Sequence, residues 1–184
     1  MIVSFMGEYA SGKDYLCDFL VKEYNAVRLS FSDEVRRLTV RIHPWMPFDF
    51  DPAIKDKPFI HPMNPYGLTP REIWLNVGLV RSVDPKYFVN AFEETFNCVD
   101  LSASWNKIYI ITDLRTQDEW EFLNENDIRV IKIERENRDG LIPSEFEKFV
   151  RNFKEYNALY INKMDGTDRF KEFFEEFMGI REYV

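Results

Sequence analysis

The chain has 184 residues, 45% hydrophobic and 16% aromatic, enough to bury one sizeable core, and a single compact domain is the expectation. Its net charge of -8, from 32 acidic against 24 basic side chains, argues against a protein that grips nucleic acid through its overall field. Two cysteines, Cys17 and Cys98, make no disulfide framework, no apolar run of about 18 residues suggests a membrane span, and no basic segment with a cleavage site marks a secretory signal, so a mature cytoplasmic protein is expected.

In chain order, "MIVSFM" comes first, short, β-branched and apolar like a buried strand. It runs into "GEYASGK", where Gly7, Gly12 and Lys13 stand at the spacing G-x-x-x-x-G-K of a phosphate-binding loop. Leu16, Phe19, Leu20 and Tyr24 then recur at helical spacing from Asp14 to Tyr24. Strand, glycine loop and helix are the context such a loop requires. Glycines let successive N–H groups turn onto a polyphosphate, the helix offers its positive end, and the lysine supplies a point charge. Where the motif carries Ser or Thr for Mg²⁺, this chain has Asp14. Its carboxylate is either a hard-oxygen ligand or water-mediated anchor for that ion, or a cap on the helix.

"AVRLSF" (26–31) reads as a second strand, followed by Ser32 or Asp33 as the cap of a helix carrying Arg36, Arg37 and Arg41. Seven of the nine prolines lie between His43 and Pro70, together with Trp45, Phe48, Phe50, Phe59 and Tyr66, so residues 43–70 are expected to form a long aromatic loop or lid. His43 and His61 lack companions at metal-ligand spacing and read as ordinary loop residues. Thr69-Pro70-Arg71-Glu72 is a capping box with proline at the first helical position, and Asp84-Pro85 repeats the signal before "KYFVNAFEETF".

"KIYIITD" (107–113) is a buried strand ending on Asp113, the place of an acid that holds the Mg²⁺ shell, or of a helix cap. Arg115 follows, suited to bidentate contact with a phosphate, or else a solvated surface arginine. Thr116 with Glu119 makes another capping box. After the strand "DIRVIKIER" (127–135), Arg135 and Arg138 are either part of a short lid near 135–143 or a charged surface turn. A helix beginning at Pro143, the strand "NALYIN" (157–162) and the helix "DRFKEFFEEFM", with Phe170, Phe173, Phe174 and Phe177 as core, follow. The alternation implies an α/β fold in three layers, a central parallel sheet of about five strands with helices on both faces and ligands beyond the strands' carboxyl ends. "INKMD" (161–165) matches the guanine-recognition motif of small GTPases, but Asp14 and the sequence Leu114-Arg115-Thr116 after Asp113 oppose that reading.

The segments "SGKD" (11–14), "FSDEVRRL", "TPREIWLNVG" with "RSVDPKYFV", "IITDLRTQDEWEFL", "PSEFE" and "YINKMDGTDRF" stand in one order over nearly the whole chain. In them the sequence resembles the deoxynucleoside monophosphate kinases of the phage and bacterial type, to which animal phosphomevalonate kinases are structurally related. That family carries "GKD" in place of "GK[ST]", but usually has Thr where Tyr15 stands, and the 43–70 loop matches nothing in it. The resemblance implies a P-loop NTPase fold that holds ATP at Gly7, Tyr9, Ala10, Ser11, Gly12, Lys13, Asp14 and Tyr15, with Asp14 and Asp113 serving Mg²⁺. Lys13, Asp14, Arg115, Arg135 and Arg138 would carry the transfer itself. Asp33, Arg36, Arg37, Arg71 and Arg81 would take the acceptor, and Trp74 or the loop aromatics would stack on its base. Small-molecule nucleotides are the expected partners, without nucleic acid or membrane, and a homodimer is left open. A kinase for another phosphate ester, such as phosphomevalonate, and a non-catalytic nucleotide-binding protein are the alternatives.

Overall fold

Five apolar runs of the sequence become strands: β1 (Ile2–Met6), β2 (Val27–Ser30), β3 (Tyr109–Thr112), β4 (Arg129–Arg135) and β5 (Ala158–Asn162). In the computed structural model they form one sheet of order β2-β3-β1-β4-β5, parallel throughout, and the structure describes residues 1–51, 53–99, 107–136 and 147–180. The helices are α1 (Lys13–Tyr24), α2 (Phe31–Ile42), α3 (Pro70–Gly78), α4 (Tyr87–Asn97), α5 (Gln117–Glu125), α6 (Lys148–Asn152) and α7 (Asp168–Met178). The expected α/β architecture with a five-stranded parallel sheet is therefore present. The helix start expected at Pro143 lies outside the described residues. No helix among the described residues is long and apolar enough to cross a membrane. The chain gathers into two compact units, Met1–Ser30 with Val99–Val184, and Phe31–Cys98.

Alternation along the strands decides the layers of the first unit. Val3, Phe5, Ile110, Ile131, Ile133 and Tyr160 pack with Leu16 and Leu20 of α1 and with Phe170 and Phe174 of α7. Phe5 meets the edges of Phe170 and Phe174 at 5.9 and 6.4 Å between ring centroids, the geometry aromatic quadrupoles favour. Phe173 and Phe177, expected in the core with them, lie at its margin, partly buried.

Lys132, between Ile131 and Ile133, must face the other way. Its ammonium donates to the carbonyls of Phe153 at 3.2 Å and Arg151 at 3.4 Å and pairs with Glu134 at 3.1 Å. A lysine only 2% exposed is tolerable because its three donors meet three acceptors. Trp120 of α5 lies edge-on to Phe153 at 5.8 Å, so α5 and the end of α6 cover the face opposite α1 and α7. The chain therefore leaves neighbouring strands β1 and β3 toward opposite faces. Such a switch point opens a crevice beyond the strands' carboxyl ends.

In the second unit, α2 starts at Phe31, directly out of β2 and ahead of the caps expected at Ser32 or Asp33. Asp33 and Glu34 occupy its first turn instead, where negative charge suits the helix dipole. The Thr69–Glu72 capping box with Pro70 forms as expected. α4 begins two residues beyond Pro85, because the Asp84 side chain accepts from the Lys86 N–H at 3.2 Å and its carbonyl from the Tyr87 N–H at 3.2 Å, closing a turn first.

The described residues of the 43–70 loop hold no helix or strand until Pro70 opens α3, yet the loop is built on specific contacts. Trp45 stacks on His61 at 5.0 Å and on Phe59 at 6.0 Å. The Asn64 amide donates to the Phe59 carbonyl at 2.7 Å and the Leu68 carbonyl at 2.9 Å, and its oxygen accepts from the Leu68 N–H at 3.1 Å.

Truncation at the centre of the aromatic cluster is expected to be costly. Phe170→Ala should lower the free energy of unfolding by about 3–5 kcal/mol in a urea titration. Phe177→Ala, at the partly buried margin, should cost less.

Candidate functional site

The loop after β1 is shaped by its two glycines. A Cβ on Gly7 would stand 2.7 Å from the Ile133 carbonyl oxygen and 2.5 Å from Ser11 Oγ, so no side chain fits there without displacing the loop or β4. Gly12 has φ 87°, left-handed backbone in which glycine carries no Cβ penalty. Between them the Ser11 N–H donates to the Glu8 carbonyl at 3.1 Å. Gly12 is also the N-cap of α1 and, as a glycine, brings no side-chain cap bond to that helix. Its first-turn N–H groups and positive dipole end are thereby left for an anion.

Around this loop charged side chains converge. The Lys13 side chain is 6% exposed, and its ammonium stands 3.7 Å from Asp14 Oδ2 and 3.9 Å from Asp113 Oδ1. Arg28 donates to Asp14 Oδ1 at 2.9 Å and to Thr112 Oγ1 at 3.3 Å. Asp113 sits just past β3 with φ 68°, and Ser30 Oγ donates to its Oδ2 at 3.0 Å. Arg115 lies 3.5 Å from Asp113 Oδ1 and 3.7 Å from Glu147 Oε1, and buried Glu147 also accepts from the main-chain N–H of Tyr9. The Arg115 N–H donates in turn to Glu119 Oε2 at 2.7 Å, the carboxylate that closes the Thr116 capping box. Thr116 thus caps α5, while Asp14 and Asp113 are turned toward cations.

Lys13, Arg28 and Arg115 face Asp14, Asp18, Asp113 and Glu147, three positive groups against four negative. A polyphosphate entering this set would need a further cation. Among the described residues no group of three or more His, Cys, Asp or Glu side chains could hold a metal alone. Two carboxylates flanking Lys13 nevertheless fit Mg²⁺, which takes one or two protein carboxylates and completes its shell with water and phosphate oxygens.

The other expected loop residues vary in setting. Tyr9 and Tyr15 are exposed, and Ala10 is left-handed at φ 59°. Ser11 is 2% exposed, and among the described residues its hydroxyl finds no partner; it lies at a small cavity lined by Glu8, Lys132, Ile133, Glu134 and Arg135. Arg135 pairs in register with Asn162. Arg138 and most of the expected lid lie outside the described residues.

Within the second unit, Asp33, Arg36 and Trp74 come together. Arg36 pairs with Asp33 at 3.1 Å and lies 5.2 Å over the Trp74 ring, which also takes the edge of Phe50 at 5.8 Å. The remaining arginines expected at the acceptor are held separately. Arg37 bonds Glu34, whose carboxyl is raised by burial against the pull of Arg37 and Thr95. Arg71 grips Asp56 through two bonds and donates its main-chain N–H to the Lys55 carbonyl at 3.0 Å, tying the 43–70 loop to the start of α3. Arg81 lies over Phe88 at 4.9 Å.

Three site residues escaped the sequence reading: Arg28, Glu147 and Asn162. Arg28 belongs to no motif, Glu147 ends the segment "PSEFE" without a role assigned to it, and only the fold brings them to Asp14 and Tyr9. Asn162 did carry a signal, the run "INKMD", which points toward a base rather than toward the loop it touches.

Cys17, one turn into α1, is pushed up to about 12 by burial, which Arg28 only partly offsets. Its thiol should stay neutral and unreactive at pH 8, whereas Cys98 is exposed. A disulfide-exchange reagent at pH 8 should therefore titrate one thiol in the folded protein and both in guanidinium chloride.

No protein-family model matches the sequence, and no curated protein matches it.

Proposed function

We propose that the chain is a cytoplasmic, ATP- and Mg²⁺-dependent kinase on a P-loop NTPase fold, moving the γ-phosphoryl group onto the phosphate of a deoxynucleoside 5′-monophosphate. The observation that supports it most is the convergence of Lys13, Asp14, Asp113 and Arg115 at the adjacent carboxyl ends of β1 and β3, on a loop spaced G-x-x-x-x-G-K.

In this reading the loop amides and Lys13 bind the donor's phosphates, and Arg115 meets the group in transfer. Asp14 and Asp113 would hold Mg²⁺, which when bound neutralises phosphate charge. The acceptor is a phosphate monoester whose second pKa is about 6, so its oxygen is already ionised near neutral pH. A lone pair on that oxygen forms the new bond to phosphorus as the bond to the β,γ-bridging oxygen breaks, and the leaving electrons stay on ADP. No proton has to be removed, so positioning and charge neutralisation dominate over a general base. The family resemblance assigns the acceptor to the second unit, where Arg36 over Trp74 sets a cation beside an aromatic face.

Coupled ADP release with ATP and Mg²⁺ should show turnover with one or a few of dTMP, dGMP, dCMP and dAMP. Lys13→Ala should cut that turnover by at least about 100–1,000-fold with an unchanged far-UV spectrum. Turnover with phosphomevalonate alone would identify a different ester as the acceptor. ATP binding without turnover on any acceptor would favour a non-catalytic nucleotide-binding protein, and absence of ATP binding would end the kinase reading.

A further inference from the structure

We propose that Asn162 is a positioning residue for the phosphate loop, a role that rests on the phosphoryl-transfer reading above. Asn162 ends β5 and is 2% exposed. Its Nδ2 donates to the Ser11 carbonyl at 3.0 Å, and its Oδ1 accepts from the Met164 N–H at 2.9 Å. Its own carbonyl accepts from the Glu136 N–H at 3.1 Å. One residue therefore ties together the ends of β4 and β5 and the loop after β1.

The bond to Ser11 controls the next amide. In a planar trans peptide the C=O and the following N–H point in opposite directions. Holding the Ser11 carbonyl on the Asn162 side therefore turns the Gly12 N–H away from Asn162. That amide and its successors in α1 are the donors a polyphosphate would use.

The same side chain restricts position 12. A Cβ on Gly12 would stand 2.2 Å from Asn162 Nδ2 and 3.4 Å from Met164 Sδ. The carboxamide thus fills the space that a larger residue at 12 would need. The amide at 162 donates to Ser11 with one end and accepts from Met164 with the other. A carboxylate would set a second acceptor against the Ser11 carbonyl, and alanine would leave both partners unpaired.

The test measures amide hydrogen exchange at Ser11, whose N–H donates to the Glu8 carbonyl at 3.1 Å, without nucleotide, together with binding of tripolyphosphate. It compares wild type, Asn162→Asp, Asn162→Ala and, as a control in the same segment, Lys163→Ala. Lys163 is exposed and pairs with Glu136 at 3.4 Å. Both Asn162 variants should speed exchange at Ser11 by about tenfold and weaken tripolyphosphate by about tenfold, the scale of one lost buried hydrogen bond, while Lys163→Ala changes neither. If the kinase assay works, kcat/KM should fall in parallel.

Wild-type exchange at Ser11 in the Asn162 variants would overturn the proposal, as would unchanged tripolyphosphate affinity. Failure of both variants to fold would also overturn it, making Asn162 a residue of general stability. If wild type itself does not bind tripolyphosphate, the phosphoryl-transfer reading fails. Exchange at Ser11 then still decides the tether, with acceleration supporting it and wild-type rates rejecting it.

Discussion

β1 has partners on both edges, α1 and α7 packed against one face and the other face buried, so its backbone is committed before the chain reaches Gly7. That commitment fixes where the loop begins. The parallel ladders set Ser4 beside Ile111 on one side and Val130 on the other, bringing the carboxyl ends of β3 and β4 alongside the loop. Asp113 thereby reaches Lys13, and the carbonyl of Ile133 closes the space where a side chain on Gly7 would stand. The site is a consequence of sheet order: the loop, the acid and the arginine two residues beyond it all arrive at neighbouring strand ends.

A nearly buried lysine beside the loop would be expensive if unpaired. Here its charge is shared between two carboxylates, one of which also meets Arg28 and the other Arg115. The arrangement keeps several charges close together without large net charge. Ligand phosphates would exchange partners within such a set rather than enter an uncompensated field. The electrostatic interactions are stronger for being partly withdrawn from water, and the cost of gathering the groups falls on folding rather than on binding.

Much of this was legible in the chain. Local signals carried the strands, the glycine loop and both capping boxes, because a buried parallel strand is a continuous apolar run and a capping box is fixed by residues three apart. The approach of Lys13, Asp14, Asp113 and Arg115 followed from placing motifs at strand ends. What stayed hidden depends on partners remote in sequence. Arg28 looks like any polar residue of a short strand until the fold brings it to Asp14. Arg71 looks available until Asp56 takes its guanidinium. The 43–70 segment was readable as irregular, but its order comes from Asn64 and from ring stacking that no periodicity announces.

One carboxylate links the start of a helix to the candidate site. Glu119 is 2% exposed, and its carboxylate accepts both the Thr116 N–H, as part of the cap of α5, and the N–H of Arg115. The start of the helix and the placement of the guanidinium are therefore one structural unit. A substitution that frays the first turn of α5 also releases the backbone from which Arg115 reaches Asp113. In a mutational survey Glu119 would score among the functional positions although nothing assigns it a ligand, and tolerance at that residue would report local helix stability and site geometry as a single quantity.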